Sequence, residues 1–234
     1  MSDNLIQLKN FIKLYLKSTP VNKLNSMTDV NYKVFSLKKG LPVTLVRTSN
    51  LLKEIYPLKS LYPFFEKHEY FWMIPITCPS HKFIGFVIRG FREKEYRTIF
   101  DFGNIPPLFG WEDFREFKLN SPIVLCEGVK DAIYLKSIYP YTLALNTSNI
   151  TSVNMEILSS VTDKIVLVYD NDYTGIRSCK VDRESLINKG IQCDFVVPTH
   201  KDCAEFIENT IGESEFISKL KRTLKNLGGN VGTN

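Results

Sequence analysis

The run Lys164-Ile165-Val166-Leu167-Val168-Tyr169 limits the possible folds of this chain more than any other feature. A continuous β-branched apolar stretch, with no polar alternation, does not suit a half-solvated sheet; a central parallel strand covered on both faces requires it. Around it strand and helix patterns alternate. Ile123–Cys126 reads as a strand, Asp131–Ile138 as a helix with Ala132, Leu135 and Ile138 at helical spacing, Tyr141–Leu145 as a strand, and Val153–Leu158 as part of a helix. Beyond the central run the spacing predicts a helix over Gly175–Lys189 stopped by Gly190 in the C′ position, a strand over Ile191–Val197, and a helix opening over Asp202–Asn209. Such alternation with short joins defines an α/β fold: an open, mainly parallel sheet flanked by helices.

The preceding part of the chain has a different character. Leu5, Leu8, Ile12 and Leu16 recur at helical spacing, which predicts an amphipathic helix over the first 17 residues. Residues 18 to 63, interrupted by Pro20, Pro42, Pro57 and Pro63, give no readable topology. Phe71–Thr77 and Lys82–Arg89 flank the turn signal Pro79-Ser80 and predict a hairpin, and IFDFGNIPPLFGW, with Gly103, Pro106, Pro107 and Gly110, predicts a loop. The expected organisation is a smaller mixed α+β subdomain over 1–120, the parallel-sheet domain over 121–212, and a basic helix with a polar end over 213–234.

Composition narrows the functional classes. At 234 residues, 44% hydrophobic and 24% charged, the chain can bury a substantial core. A net charge of +5 permits a polyanionic partner without requiring one. No apolar run reaches the roughly 18 to 20 residues that span a bilayer, and Lys9, Lys13 and Lys17 break up the amino terminus where a secretory signal would be apolar. Five cysteines without a CxxC pair argue against a zinc ribbon and fit a reducing compartment, so a cytoplasmic protein is expected, in the host cytoplasm if the chain is viral.

Two of the strand runs end in acids: Ile123–Cys126 runs into Glu127, and Ile165–Tyr169 runs into Asp170, with Asp172 two residues on. In an open parallel sheet the carboxyl ends of the strands are where ligands bind. Carboxylates gathered there repel one another and raise one another's pKa unless a cation lies between them. Mg²⁺ fits, because it takes hard oxygen ligands and keeps waters that exchange with phosphate oxygens; Mn²⁺ is the alternative. A second reading stays open at this stage: Asp172 could cap the helix that follows.

The same residues resemble a known family. Glu127-Gly128-Val129-Lys130-Asp131 is similar to the EGxxD element of the topoisomerase–primase (Toprim) fold, and YDNDYTG to its DxD element. ALNTSNIT is similar to the LGT loop of bacterial-type primases, with Asn146 where glycine is usual, and KDCAEFIENTIGESEF resembles their KDPDEF element. Upstream, MIPI and KFIGFVIRGF resemble the primase pattern FPI…VIGFGGR, and PPLFGW the stretch that precedes the Toprim region in primases and phage primase-helicases. These elements occur in the family's order over roughly residues 70 to 218.

The resemblance implies a Toprim-like sheet and the catalytic core of a DNA primase, without zinc ribbon or helicase, making short RNA primers from ribonucleoside triphosphates on single-stranded DNA. It implies Glu127, Asp170 and Asp172 as catalytic metal-binding acids, flanked by Asp131 and Asp202. Asp131 and Asp202 also admit the simpler role of acids in the first turn of a helix. Arg89, Arg97, Lys130, Arg177 and Lys180 are the candidate contacts to nucleotide or template. A replicative helicase or a separate zinc-binding subunit would be the protein partner. The sequence departs from the family at three further positions. Ala204 stands where a second acid is usual, and Phe71 and Thr98 fall where basic residues are expected. A Toprim nuclease and a non-catalytic Toprim-like binding subunit are the competing functions.

Overall fold

The computed structural model describes residues 3–20, 24, 30–37, 43–54, 61–92, 95–100, 107–114 and 119–229. Residues 101–106, within the stretch expected as loop, and 230–234, within the expected polar end, lie outside them. The chain forms two compact units, Met1–Thr77 with Lys82–Ile105, and Pro106–Asn234 with Cys78–His81.

The first unit contains the helices α1 (Asp3–Lys17), α2 (Val30–Ser36), α3 (Thr48–Glu54) and α4 (Tyr62–Lys67). Its strands are β1 (Thr19–Pro20), β2 (Thr44–Arg47), β3 (Tyr70–Thr77), β4 (Phe83–Gly90) and β5 (Tyr96–Phe100), joined antiparallel in that order. The hairpin predicted from the two runs around Pro79-Ser80 is β3–β4, with Met73 opposite Ile88 and Pro75 opposite Phe86. Pro75 is tolerated inside a strand because the described pairing of β3 with β2 ends at Met73, so on that side its missing N–H leaves no ladder bond unmade. Phe11, Leu14, Phe64, Phe71, Phe86 and Ile99 close one core over this sheet. Within the segment expected to start a loop, Ile99 and Phe100 instead complete β5, since Ile99 pairs with Phe86 and is buried.

The second unit follows the predicted alternation: β6 (Ile123–Cys126), α5 (Val129–Lys136), β7 (Thr142–Ala144), α6 (Ser152–Val161), β8 (Lys164–Val168), α7 (Tyr173–Asn188), β9 (Gln192–Phe195), a 3₁₀ turn (Cys203–Ile207) and α8 (Glu213–Asn226). The four strands are parallel, in the order β7-β6-β8-β9. The apolar run therefore lies inside the sheet, with Ile165, Val166 and Leu167 fully buried. Thr151 caps α6 through the amide of Asn154, and Gly190, at φ +82°, ends α7 with Ile191 N–H bonded back to Leu186. The PPLFGW stretch runs beside β7, where Phe109 exchanges two backbone hydrogen bonds with Ala144. Gly110 is obligatory there, because it adopts φ +113° and a Cβ would sit 2.7 Å from the Thr142 carbonyl oxygen. α8 buries Phe216, Leu220 and Leu224 and stacks Phe216 on Phe206, so the basic carboxy-terminal helix is packed into this unit while Lys219, Arg222 and Lys225 stay exposed.

Leu167 lies at the centre of this core between β6 and β9. Leu167→Ala is expected to cost about 2–5 kcal/mol in urea denaturation, the range for a cavity that its neighbours fill only in part.

Candidate metal centre

Topology positions the acids. From β6 the chain crosses to β7 on one side, and from β8 to β9 on the other, so β6 and β8 flank a switch point where a crevice opens at their carboxyl ends. They pair in register, Cys126 opposite Val168, which brings the residues that leave the two strands to one level. Glu127 leaves β6 there, and its Oε1 accepts a hydrogen bond from the Asp170 amide at 3.2 Å. Asp172 is the N-cap of α7, with Oδ1 accepting from Gly175 N–H at 2.9 Å and Oδ2 lying 3.4 Å from Lys201 Nζ.

All three residues border Gly175, Glu127 and Asp172 through their carboxylates and Asp170 through its backbone. A Cβ on that residue would lie 2.3 Å from the Asp170 carbonyl oxygen and 2.9 Å from Glu127 Oε1, so the backbone of α7 approaches more closely than any side chain allows.

Burial pushes the Glu127 carboxyl up to about 7, and the charge of Asp170 adds to it, with smaller contributions from Asp172 and Asp182. Asp172 is held below the ordinary carboxylate value, first by the Gly175 amide and then by Lys201. Asp131 lies in the first turn of α5, is 8% exposed, and accepts from the Ala204 amide at 3.0 Å; burial raises its pKa, and Asp202 and Asp170 raise it further. Asp202 caps the 3₁₀ turn through Glu205 N–H. The structure thus gathers all five predicted acids at one end of the sheet and gives Asp172 and Asp202 the capping role as well.

The basic residues divide between the units. Lys130 sits on α5 beside Asp131, and Arg177 and Lys180 are exposed on α7. Arg89 and Arg97 belong to the first unit. Arg89 is placed inside its sheet rather than on a surface: it is 2% exposed, with Nε bonded to Tyr96 Oη at 2.9 Å and Nη1 to the Gly90 carbonyl at 3.0 Å. Arg97 is exposed and paired with Glu95 at 2.7 Å.

Several residues of the site are not apparent from motif spacing. Asn146 adopts φ +58°, a conformation asparagine tolerates better than most residues, which accounts for its place where the related loop has glycine. Its amide donates to the Glu127 carbonyl at 3.0 Å, tying that loop to the acid. Asp182, 3% exposed on α7, accepts from Tyr169 Oη at 2.7 Å and from Ile150 N–H at 3.0 Å, linking the end of β8, the helix and the loop after β7. The sequence does carry a signal for it: Ser178, Asp182 and Leu186 form one inward stripe of α7, and an acid in such a stripe needs partners.

Among the described residues no group of three His, Cys, Asp or Glu side chains forms a ready cage for a metal ion. Mg²⁺ does not need one, since it is commonly held by one or two carboxylates together with waters and substrate phosphates. The donors present are hard carboxylate oxygens; burial first, and then the charges of Asp170 and Asp172, raise the pKa of Glu127, and a cation would offset those charges. The residues fit Mg²⁺.

Residues 124–207 match the family model described as Toprim-like. No curated protein matches the chain in sequence. Among solved structures, the zinc-binding and RNA polymerase domains of the Aquifex aeolicus primase align over 97% of this chain and 62% of that one, with 20% identity and a TM-score of 0.64. A DnaG primase catalytic domain bound to single-stranded DNA aligns over 94% and 80%, with 17% identity and a TM-score of 0.67. The primase fragment of the bacteriophage T7 primase-helicase aligns over 64% and 61%, with 18% identity and a TM-score of 0.52. Residues 124–207 are therefore similar to Toprim-like domains, and the chain has the fold of DnaG-type primase catalytic cores. At these identities the likeness is one of fold, and the chain spans about 62% of the length of the Aquifex structure. No helix among the described residues is long and apolar enough to cross a membrane.

Two predictions follow from the crowding and the charge. Gly175→Ala should destabilise the protein by about 1–3 kcal/mol in urea denaturation, although alanine is ordinarily the better helix former by about 1 kcal/mol. A carboxyl whose folded pKa exceeds its unfolded one binds more protons when folded, so stability falls as pH rises from 4.5, the ordinary value for Glu127, to about 7. In EDTA the urea midpoint should decline across that window, and Glu127→Gln should flatten the decline, leaving the parts due to Asp131 and Asp182.

Proposed function

We propose that this chain is the catalytic module of a DNA primase, joining ribonucleoside triphosphates on a single-stranded DNA template by attack of a 3′-hydroxyl on an α-phosphate with release of pyrophosphate. The observation that carries the reading is the placement of the Glu127 carboxylate, the Asp170 backbone and the Asp172 carboxylate around Gly175, at the switch point of a primase-like fold. The neighbour bound to single-stranded DNA supports the template class, and the T7 neighbour, part of a primase-helicase, supports a replicative helicase as partner; a zinc-binding subunit is a further candidate.

Glu127, Asp170 and Asp172 would hold Mg²⁺, or Mn²⁺ in its place, with Asp131 and Asp202 flanking. The ion would supply charge neutralisation for the attacking and leaving oxygens. Asp172 stays ionised across the physiological range, because the Gly175 amide and Lys201 hold its pKa low. Glu127, pushed to about 7, can take or release a proton near neutral pH, which is what acid–base duty beside a reacting hydroxyl demands. Lys130, Arg177 and Lys180 supply positive charge around the acids for phosphates or template.

One observation favours a second reading, a Toprim-like subunit that binds nucleic acid without catalysis. Ala204 stands where the family has an acid, and it is fully buried with its amide occupied by Asp131.

The test is primer synthesis by the purified protein with Mg²⁺ or Mn²⁺, labelled ribonucleotides and single-stranded templates. Short RNA products are expected, and Asp170→Asn should reduce them by on the order of 100-fold or more, as loss of a main electrostatic contact does in other active sites. Strand cleavage without polymerisation would instead establish a nuclease, and metal-independent binding with neither reaction would establish the binding subunit.

A further inference from the structure

Next to the acids, residues 148–150 and α7 line a half-open cavity of about 480 Å³, a volume within the range that holds small ligands. Its walls include Ser148, Asn149, Tyr173, Arg177, Ser178 and Asp182. Tyr173 follows Asp172 directly and is 81% exposed. Lone exposed apolar side chains need no explanation, but this ring borders a cavity at the edge of an acidic site. Arg177 stands one helical turn further along the same face of α7.

We propose that this cavity is a nucleotide subsite, in which Tyr173 stacks on a base and Arg177 meets the phosphate attached to it. The chemistry of the walls sets the orientation. Ser148, Asn149 and Ser178 offer neutral donors and acceptors suited to base edges and sugar hydroxyls. Asp182, already bonded to Tyr169 and to the Ile150 amide, puts a carboxylate at the inner wall and turns a phosphate away from it. The phosphate is left to the cationic rim, and the base enters first. The bond from the Ile150 amide also fixes residues 148–150 against α7, so the cavity has a tethered wall. An aromatic face accepts any base, which fits a subsite that does not select sequence. The identity of the ligand rests on the function proposed above, since a nucleotide is the substrate class that function supplies.

The ligand could be a nucleotide of a strand or a free triphosphate, and two probes separate these sources: a fluorescein-labelled single-stranded oligothymidylate and a fluorescent ribonucleoside triphosphate, each titrated in EDTA by anisotropy. Tyr173→Ala should weaken binding of at least one probe by about 10-fold, the scale of one base stacked on an aromatic ring, while Tyr173→Phe retains wild-type affinity. Loss for the oligonucleotide alone assigns a strand residue, and loss for the triphosphate alone an incoming nucleotide. Arg177→Gln should weaken the same probe and make its binding less sensitive to salt. Tyr173→Ala affinities within twofold of wild type for both probes overturn the subsite, as does failure of the wild type to bind either. An Arg177→Gln variant indistinguishable from wild type overturns the phosphate contact. Unchanged unfolding midpoints of the variants confirm that folding is not what changed. A protein that passes these tests yet makes no primer keeps the subsite and loses the primase assignment.

Discussion

The parallel pairing of β6 with β8 is the constraint on which the site depends. Backbone hydrogen bonds fix Cys126 opposite Val168, and this register brings Glu127 and Asp170 to the same level at the end of the sheet. A shift by one residue would turn every side chain of the strand to the other face and carry Glu127 and Asp170 to different levels. The backbone ladder of β6 and β8 therefore does more than hold the sheet together: it sets the level at which the two acidic residues leave it. Hydrophobic burial supplies the energy, and backbone geometry supplies the placement.

Charge is concentrated where α7 begins, beside the residues that leave β6 and β8. Gly175 lets α7 begin against the Asp170 carbonyl and the Glu127 carboxylate, and the helix then donates its Gly175 amide to Asp172. The two acids thereby acquire different proton affinities within a small space. Asp172 is stabilised as an anion by the helix terminus, while Glu127 is destabilised as one by burial and by its neighbours. Asp182 lies further along the same helix and joins it to Tyr169 and to the loop after β7, so three segments that border the acids are held by one side chain.

Much of the second unit was legible from periodicity, because its strands are short apolar runs and its helices carry plain stop signals. Gly190 takes the left-handed position expected of it. The acids at the strand ends were legible for the same reason. The 3₁₀ turn at Cys203–Ile207, expected as a longer helix, was not, since Asp202 caps either form equally well. In the first unit, Thr44–Arg47 and Tyr96–Phe100 become strands through their partners β3 and β4, and such long-range pairing leaves no local pattern. Arg89 shows the limit of residue-type reasoning. A guanidinium belongs at the surface by default, but the Tyr96 hydroxyl and the Gly90 carbonyl provide partners from a neighbouring strand and from the next residue of its own. Asp182 was hidden by the same mechanism, with partners 13 and 32 residues away.

The bond between Asp131 and the Ala204 amide couples two parts of the unit mechanically. A buried anion loses much of its support when its donor leaves, so detaching the segment around Ala204 from α5 would require the carboxyl either to take up a proton or to find a new donor. The segment that contributes Lys201 and Asp202 to the rim is thus latched by an ionisable group, and the strength of that latch varies with acidity.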